Sequence, residues 1–291
     1  MIDVYKIGRG FCYAGTDKNG GLFEFDLIAK EAEEISRLTK VDCLIIVGGN
    51  LSIEENEKLS SLINTKKNLG VKIIFVLTDS VSLSDLSKGL IAKCDLLLHQ
   101  AYGYKFDIDI EQQYSFVPEL FYKDDIPIPY LQHDSVFFGG SDYNREDKVK
   151  EYFRDGRCPK NKTFSLIKIN GIHEDERIDY SSFQKLMSKF KYSLMICRKE
   201  YRGDVSWFTP RFIEAVSNWS LPFVDFEYSK NRPYTIPLFD NEVSSYDELM
   251  KKIDMIDEID RLRYLTILRT KINNNKGKFR ELVLNFLENK K

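Results

Sequence analysis

Long apolar runs are missing from this 291-residue chain, and none approaches the roughly 20 residues that a membrane-crossing helix needs. The opening MIDVYKIGRGFCYAG has no basic stretch followed by an apolar one, so no secretory signal is expected. Histidine is scarce: His99, His133 and His173 lie too far apart in sequence to suggest a metal cluster. The five cysteines (Cys12, Cys43, Cys94, Cys158, Cys197) are odd in number, widely spaced and without a CxxC pair. That pattern argues against a disulfide framework or a zinc site and points to a reduced, cytosolic setting. Cys43, Cys94 and Cys197 stand in apolar, strand-like runs, where a thiol behaves as a small hydrophobe. An excess of charge of one sign is also missing. The net charge of −2 and an isoelectric point near 6.1 argue against a uniform basic face that coats nucleic acid, though not against a local patch. Neither an internal repeat nor a low-complexity segment is found.

What is present is enough apolar material for two domains: 43% hydrophobic and 13% aromatic residues, with 30% charged residues of both signs interspersed. Short apolar runs alternate with amphipathic stretches. IDVYKI (2–7) reads as a strand, GRGFCYAGTDKNGG (8–21) as a glycine-rich loop, and LFEFDLIAKEAEEISRLTK as a helix. DCLIIVGG (42–49), VKIIFVL (71–77) and CDLLLHQ read as buried strands. Between them lie a helix ended by Gly70 and a shorter one over 81–91. Around 118–134 the pattern breaks into PELFYKDDIPIPYLQHD, the composition of a linker. A second alternation follows, with strands SVFFGGS, KTFSLIKI, YSLMICR and LPFVDF. The helices between them are REDKVKEYFRDG, SSFQKLMSKF and TPRFIEAVSNWS. From 245 onward the chain reads as helical, broken near 273–278. Alternating strands and helices predict parallel sheets of βαβ units, an α/β fold of two Rossmann-like domains. The expected division is 1–125, 126–270 and a C-terminal helix over 271–291 that packs back on the first domain.

Such folds bind ligands at the carboxyl ends of their strands, and three constellations fall there. In Thr209-Pro210-Arg211-Phe212-Ile213-Glu214, Thr209 suits an N-cap and Pro210 the first helical position. Arg211 and Glu214 then share a face of the first turn, with the guanidinium suited to phosphate and the carboxylate to ribose hydroxyls. The alternative is an exposed ion pair worth tenths of a kcal/mol. In FFGGSDYNRED, Gly140 and Ser141 can bring backbone close to phosphate, and Arg145 opens the next helix. The alternative is a tight turn that needs glycine for its conformation alone. In VKIIFVLTDS, Asp79 follows a buried strand and suits a general base, or else caps the next helix. The 8–21 loop does not match GxGxxG. Gly20, Gly21 and Glu24 are candidate sugar or acceptor contacts, with a solvated helix face as the alternative for Glu24.

In their order along the chain these stretches resemble the DNA β-glucosyltransferase family of T-even bacteriophages, a GT-B glycosyltransferase family. VDCLIIVGG followed by VKIIFVLTD resembles the family's paired strands, the second of which ends in the catalytic base, so the resemblance implies Asp79 as that base. VFFGGSDYNREDK is similar to the family's Gly-Gly-Ser loop and implies Arg145 as a ligand of the donor diphosphate. TPRFIEAVSNWSLPFVD implies Arg211 on the diphosphate and Glu214 on the uridine ribose. One departure stands out: Asp142 and Tyr143 occupy the place of a family arginine, leaving Lys148 or Arg202 to supply that charge. The activity implied is inverting transfer of glucose from UDP-glucose to a 5-hydroxymethylpyrimidine, cytosine or uracil, in phage duplex DNA. That implies a monomeric phage protein of the host cytoplasm. Mg2+ or Mn2+ can assist the leaving group, with Glu119 as a candidate ligand, although no carboxylate cluster demands a metal. The basic segment RLRYLTILRTKINNNKGKFRELVLNFLENKK can meet DNA phosphates or be a packed, solvated helical face. Two other functions fit the same residues: a GT-B enzyme with a non-DNA acceptor, or a non-catalytic nucleotide-sugar-binding module.

Overall fold

The computed structural model describes residues 1–6, 23–78, 83–139, 145–153, 166–169, 180–197, 199, 208, 210–227, 233–237 and 239–289. The chain divides into two compact units, one formed by Met1–Leu120 with Gly277–Lys291, the other by Phe121–Lys276. Each is built on a five-stranded sheet, parallel throughout, with helices.

The first sheet holds β1 (Ile2–Lys6), β2 (Cys43–Gly48), β3 (Lys72–Leu77), β4 (Leu96–His99) and β5 (Gln112–Ser115), side by side in that order. Strands β2, β3 and β4 are runs of Leu, Ile, Val and Phe because both faces of a covered parallel sheet are dry. Their crossovers are helices α1 (Phe23–Leu38), α2 (Ile53–Asn68) and α3 (Asp85–Ile91). Ser52 and Glu55 start α2 with a reciprocal capping box, in which Glu55 N donates to Ser52 Oγ at 3.2 Å and Ser52 N to Glu55 Oε2 at 2.9 Å. Gly70, at φ +74°, ends that segment in the left-handed region that glycine tolerates. Cys43 and Cys94 are free thiols in this core, and burial pushes both up to about 12, so they stay protonated and unreactive.

The second sheet has the order β10-β9-β8-β6-β7, formed by β6 (His133–Gly139), β7 (Leu166–Ile169), β8 (Phe190–Met195), β9 (Leu221–Asp225) and β10 (Glu242–Val243). Its chain path moves outward from β6 to β7, then jumps back across β6 to β8 and continues through β9 to β10. The order therefore reverses between β6 and β8, the kind of switch point beside which doubly wound sheets open a ligand crevice at their carboxyl ends. The first sheet, whose described strands run in sequence, has no such reversal. Helices α4 (Glu146–Phe153), α5 (Tyr180–Met187) and α6 (Pro210–Ser217) link the strands of the second unit. It ends with α7 (Tyr246–Asp254) and α8 (Glu258–Asn273), while α9 (Lys278–Leu287) belongs to the first unit. There Arg280 grips Glu31 of α1 through Nε at 2.9 Å and Nη2 at 3.2 Å, and Phe279 meets Phe116 edge-on.

Three features depart from the expectations. Phe190, expected to end the α5 helix, opens β8; β5 and β10 had no counterpart; and the helical tail breaks a second time, where Asp257 caps α8. Asp257 Oδ1 accepts from Asp260 N at 2.8 Å, which gives the chain a new helix start a few residues beyond α7.

Candidate functional site

The switch point of the second sheet is flanked by two of the three expected constellations. Arg145 follows β6 and precedes α4, while Arg211 and Glu214 lie on α6, which follows β8. Arg145 donates from Nε to the carbonyl of Ile196, just past the end of β8, at 2.9 Å. This bond ties the chain after β6 to the chain after β8 across the reversal of strand order.

Helix α6 is seated almost entirely in the core. Pro210, Phe212, Ile213, Ala215, Val216 and Ser217 are buried, and so is Glu214, at 0% exposure. Arg211 Nη1 lies 3.3 Å from Glu214 Oε2, with the arginine side chain 21% exposed. The exposed-pair alternative therefore does not describe these residues. A pair this dry is held by direct interaction and is costly to break, because removing one partner strands a buried charge. The guanidinium also lies 3.8 Å above the ring centroid of Phe183 on α5. Because Glu214 has no exposed surface, a ligand hydroxyl reaches its carboxylate only when neighbouring chain gives way.

The far end of α6 is fixed as firmly. Trp219 takes φ 59°, and a Schellman pair closes the helix, with Ser220 N donating to Ala215 O at 3.0 Å and Trp219 N to Val216 O at 3.3 Å. A left-handed tryptophan costs about 1–2 kcal/mol relative to a right-handed one, and surrounding bonds must hold it there. Arg261 Nη1 donates to Trp219 O at 2.7 Å, Trp219 Nε1 to Ile126 O at 2.8 Å, and Arg269 lies over the indole at 4.2 Å. Within the basic C-terminal segment, Arg261 and Arg269 are thus internal struts, half-buried Arg280 is paired with Glu31, and the two helices α8 and α9 belong to different units.

Lys148, a candidate to supply a charge in the place that the resemblance gives to an arginine, is committed elsewhere. It is buried at the end of β9, where it lies 3.4 Å from Asp225, 3.3 Å from Glu151 and 3.9 Å from Glu227, and over the Phe226 ring at 4.4 Å. The Tyr152 hydroxyl has Asp225 Oδ2 at 2.7 Å and Val243 O at 2.9 Å, two oxygen neighbours for one proton. Burial raises the Asp225 carboxyl above its ordinary range, against the lowering pull of Tyr152, the Glu227 amide and Lys148. The sign for stability follows: with the folded value above the unfolded one, the contribution of this group is fully present below about pH 4 and is lost as pH rises through the folded value. Asp225→Asn removes that cost. Its melting temperature relative to wild type is expected to rise between pH 4 and pH 7 in thermal scans; a flat or falling difference contradicts the assignment.

In the first unit the carboxyl ends of β3 and β4 carry Thr78, His99 and Gln100, all buried. Among the described residues His99 Nδ1 and Gln100 Oε1 have no hydrogen-bond partner, and burial pushes the imidazole down to about 4, so it is neutral near pH 7. Their signal in the sequence was two polar residues closing the apolar run CDLLLHQ. Glu119 is buried in a short 3-10 turn (Glu119–Phe121), and no group of three His, Cys, Asp or Glu side chains suited to a metal is found among the described residues. Asp79, Gly140, Ser141, Gly20, Gly21, Arg202 and the expected cap Thr209 lie outside the described residues, as does the side chain of Glu24 on α1. Helix α3 starts at Asp85 with Ser84 as its cap.

No protein-family model matches the sequence, and a search of curated proteins finds no match. Among the described residues, no helix is long and apolar enough to cross a membrane.

Proposed function

We propose that the chain is a GT-B-type inverting glycosyltransferase that moves glucose from UDP-glucose to the hydroxyl of a 5-hydroxymethylpyrimidine in duplex DNA. The observation that carries the reading is the grouping of Arg145, Arg211 and Glu214 about the β6–β8 switch point of the second sheet. Arg211 sits in the first turn of α6, where the helix's unpaired amides also favour an anion. Arg145 and Arg211 hold the diphosphate and Glu214 the ribose. As the bond from the anomeric carbon to the diphosphate oxygen breaks, both electrons leave with UDP, and the two guanidinium charges stabilise them. Asp79 takes the proton of the acceptor hydroxyl as its oxygen forms the new bond to that carbon, with a single inversion. A base stacked in a duplex has to be turned out of the helix to react.

The test is transfer from UDP-glucose to matched duplexes that hold cytosine, 5-hydroxymethylcytosine or 5-hydroxymethyluracil, read by mass. The expected result is one added hexose on a hydroxymethylated duplex and none on the cytosine duplex. A specific observation favours a second reading, transfer to a non-DNA acceptor: net charge is −2, and three arginines of the basic segment are engaged by partners within the chain. UDP-glucose binding without transfer to any duplex moves the assignment there.

A further inference from the structure

We propose that Phe183 is the positioning residue for Arg211, a fixed aromatic platform that sets where the guanidinium meets a diphosphate; this rests on the donor-site reading above. The guanidinium carbon is 3.8 Å from the Phe183 ring centroid, in stacking contact. Phe183 is 1% exposed, and its ring is backed by Phe137 of β6 at 5.6 Å, which in turn stacks on Phe190 of β8 at 5.3 Å and an interplanar angle of 20°. The platform is therefore anchored in the two strands that flank the switch point. Phe137 is also two residues before Gly139, where β6 ends and the Gly-Gly-Ser stretch begins.

The chemistry of the guanidinium explains what such a platform does. Its faces are weakly hydrated and stack on rings at little cost, whereas all its N–H donors point outward in its plane. Phe183 takes a face and Glu214 takes one edge at 3.3 Å, so the plane and its rotation are both set before any ligand arrives. Arginine is among the side chains with most rotamer freedom to lose. A fork already ordered by folding binds oxygen anions more tightly than one ordered on binding. Phe183 touches no reacting atom in this scheme, so its effect belongs in donor affinity and not in the chemical step.

A double-mutant cycle on the full chain tests this, with UDP and inorganic pyrophosphate as titrants in calorimetry and UDP-glucose in turnover assays. Phe183→Leu and Phe183→Met both keep an apolar core side chain and remove the ring, so a folding failure of one leaves the other. The expected result is a rise of about three- to tenfold in Kd for UDP and in KM for UDP-glucose, the range of a partly desolvated cation–π contact, with kcat within about twofold. In an Arg211→Ala background the same replacement is expected to add no further loss. Equal loss in both backgrounds, or no loss in the wild-type background, overturns the positioning role and leaves the donor site standing. Absence of UDP binding by the wild-type chain overturns both.

Discussion

Asp79→Asn is expected to lower kcat for sugar transfer by about 100- to 10,000-fold, the span of general base catalysis, while the Kd for UDP stays within about twofold of wild type. The hydroxyl of a hydroxymethyl group is a poor nucleophile at neutral pH, and its proton must leave as the new bond forms. An amide of the same shape keeps the hydrogen-bonding outline of the carboxylate and cannot take that proton. Donor binding is separable because the residues assigned to it, Arg145, Arg211 and Glu214, all belong to the second unit, whereas residue 79 belongs to the first. Single-turnover transfer and UDP titration on the same preparation check both halves. Near-normal turnover rejects Asp79 as the base. Loss of UDP binding instead places residue 79 in the donor site and requires a different mechanism.

The parts of the fold that were legible in sequence are those where burial and backbone demand coincide. CLIIVG and KIIFVL have to be interior strands because a doubly covered parallel sheet is what hides unbroken runs such as Leu44–Val47 and Ile73–Leu77 so economically. The α2 start carries a local signal of the same kind, a serine cap with a glutamate three residues on. Strand β5, QQYS, carried no such signal, since an edge strand is defined by one neighbour's backbone and needs no apolar face. The Gln113 carboxamide secures the adjoining chain instead, accepting from Phe106 N at 2.8 Å and donating to Phe106 O at 3.0 Å, a bond between residues seven apart. At the candidate site, the Arg211–Glu214 spacing announced a pair but not its burial, because burial depends on what α5 and β8 place against α6. Phe183 was read only as one apolar position in a helix. Its use under a guanidinium is a fact of tertiary packing that no spacing rule encodes. Strand order is likewise set by crossovers between distant segments, so the switch point came from the structure alone.

Arg269→Ala is expected to cost on the order of 3 kcal/mol of folding stability, far more than an arginine on a helix of mixed charge usually contributes. Arg269 is buried, and its Nη1 donates to Val216 O at 3.0 Å and Ser217 O at 2.8 Å, the last carbonyls of α6. Nη2 donates to Asp124 O at 3.1 Å, in the segment joining the first unit to β6. The same guanidinium lies 4.2 Å over Trp219, which it helps to hold at positive φ, and 5.3 Å from the Tyr122 ring. Burial lowers its pKa below the ordinary arginine value, against the raising pull of Tyr122, Asp124 and Asp125, and the carbonyl end of α6 accepts its donors. Truncation leaves those carbonyls short of a charged donor and removes the ring contact that restrains a strained residue. Arg269→Lys retains the charge but offers one ammonium in place of a planar fork, so an intermediate loss is expected. Chemical denaturation of the three proteins measures the order wild type, Lys, Ala. A loss below about 1 kcal/mol for Ala shows that the Schellman turn and Arg261 suffice to hold Trp219. The full loss accompanied by weaker UDP binding, under conditions where the variant is folded, shows that the C-terminal anchor of α6 also sets the position of Arg211 at its other end.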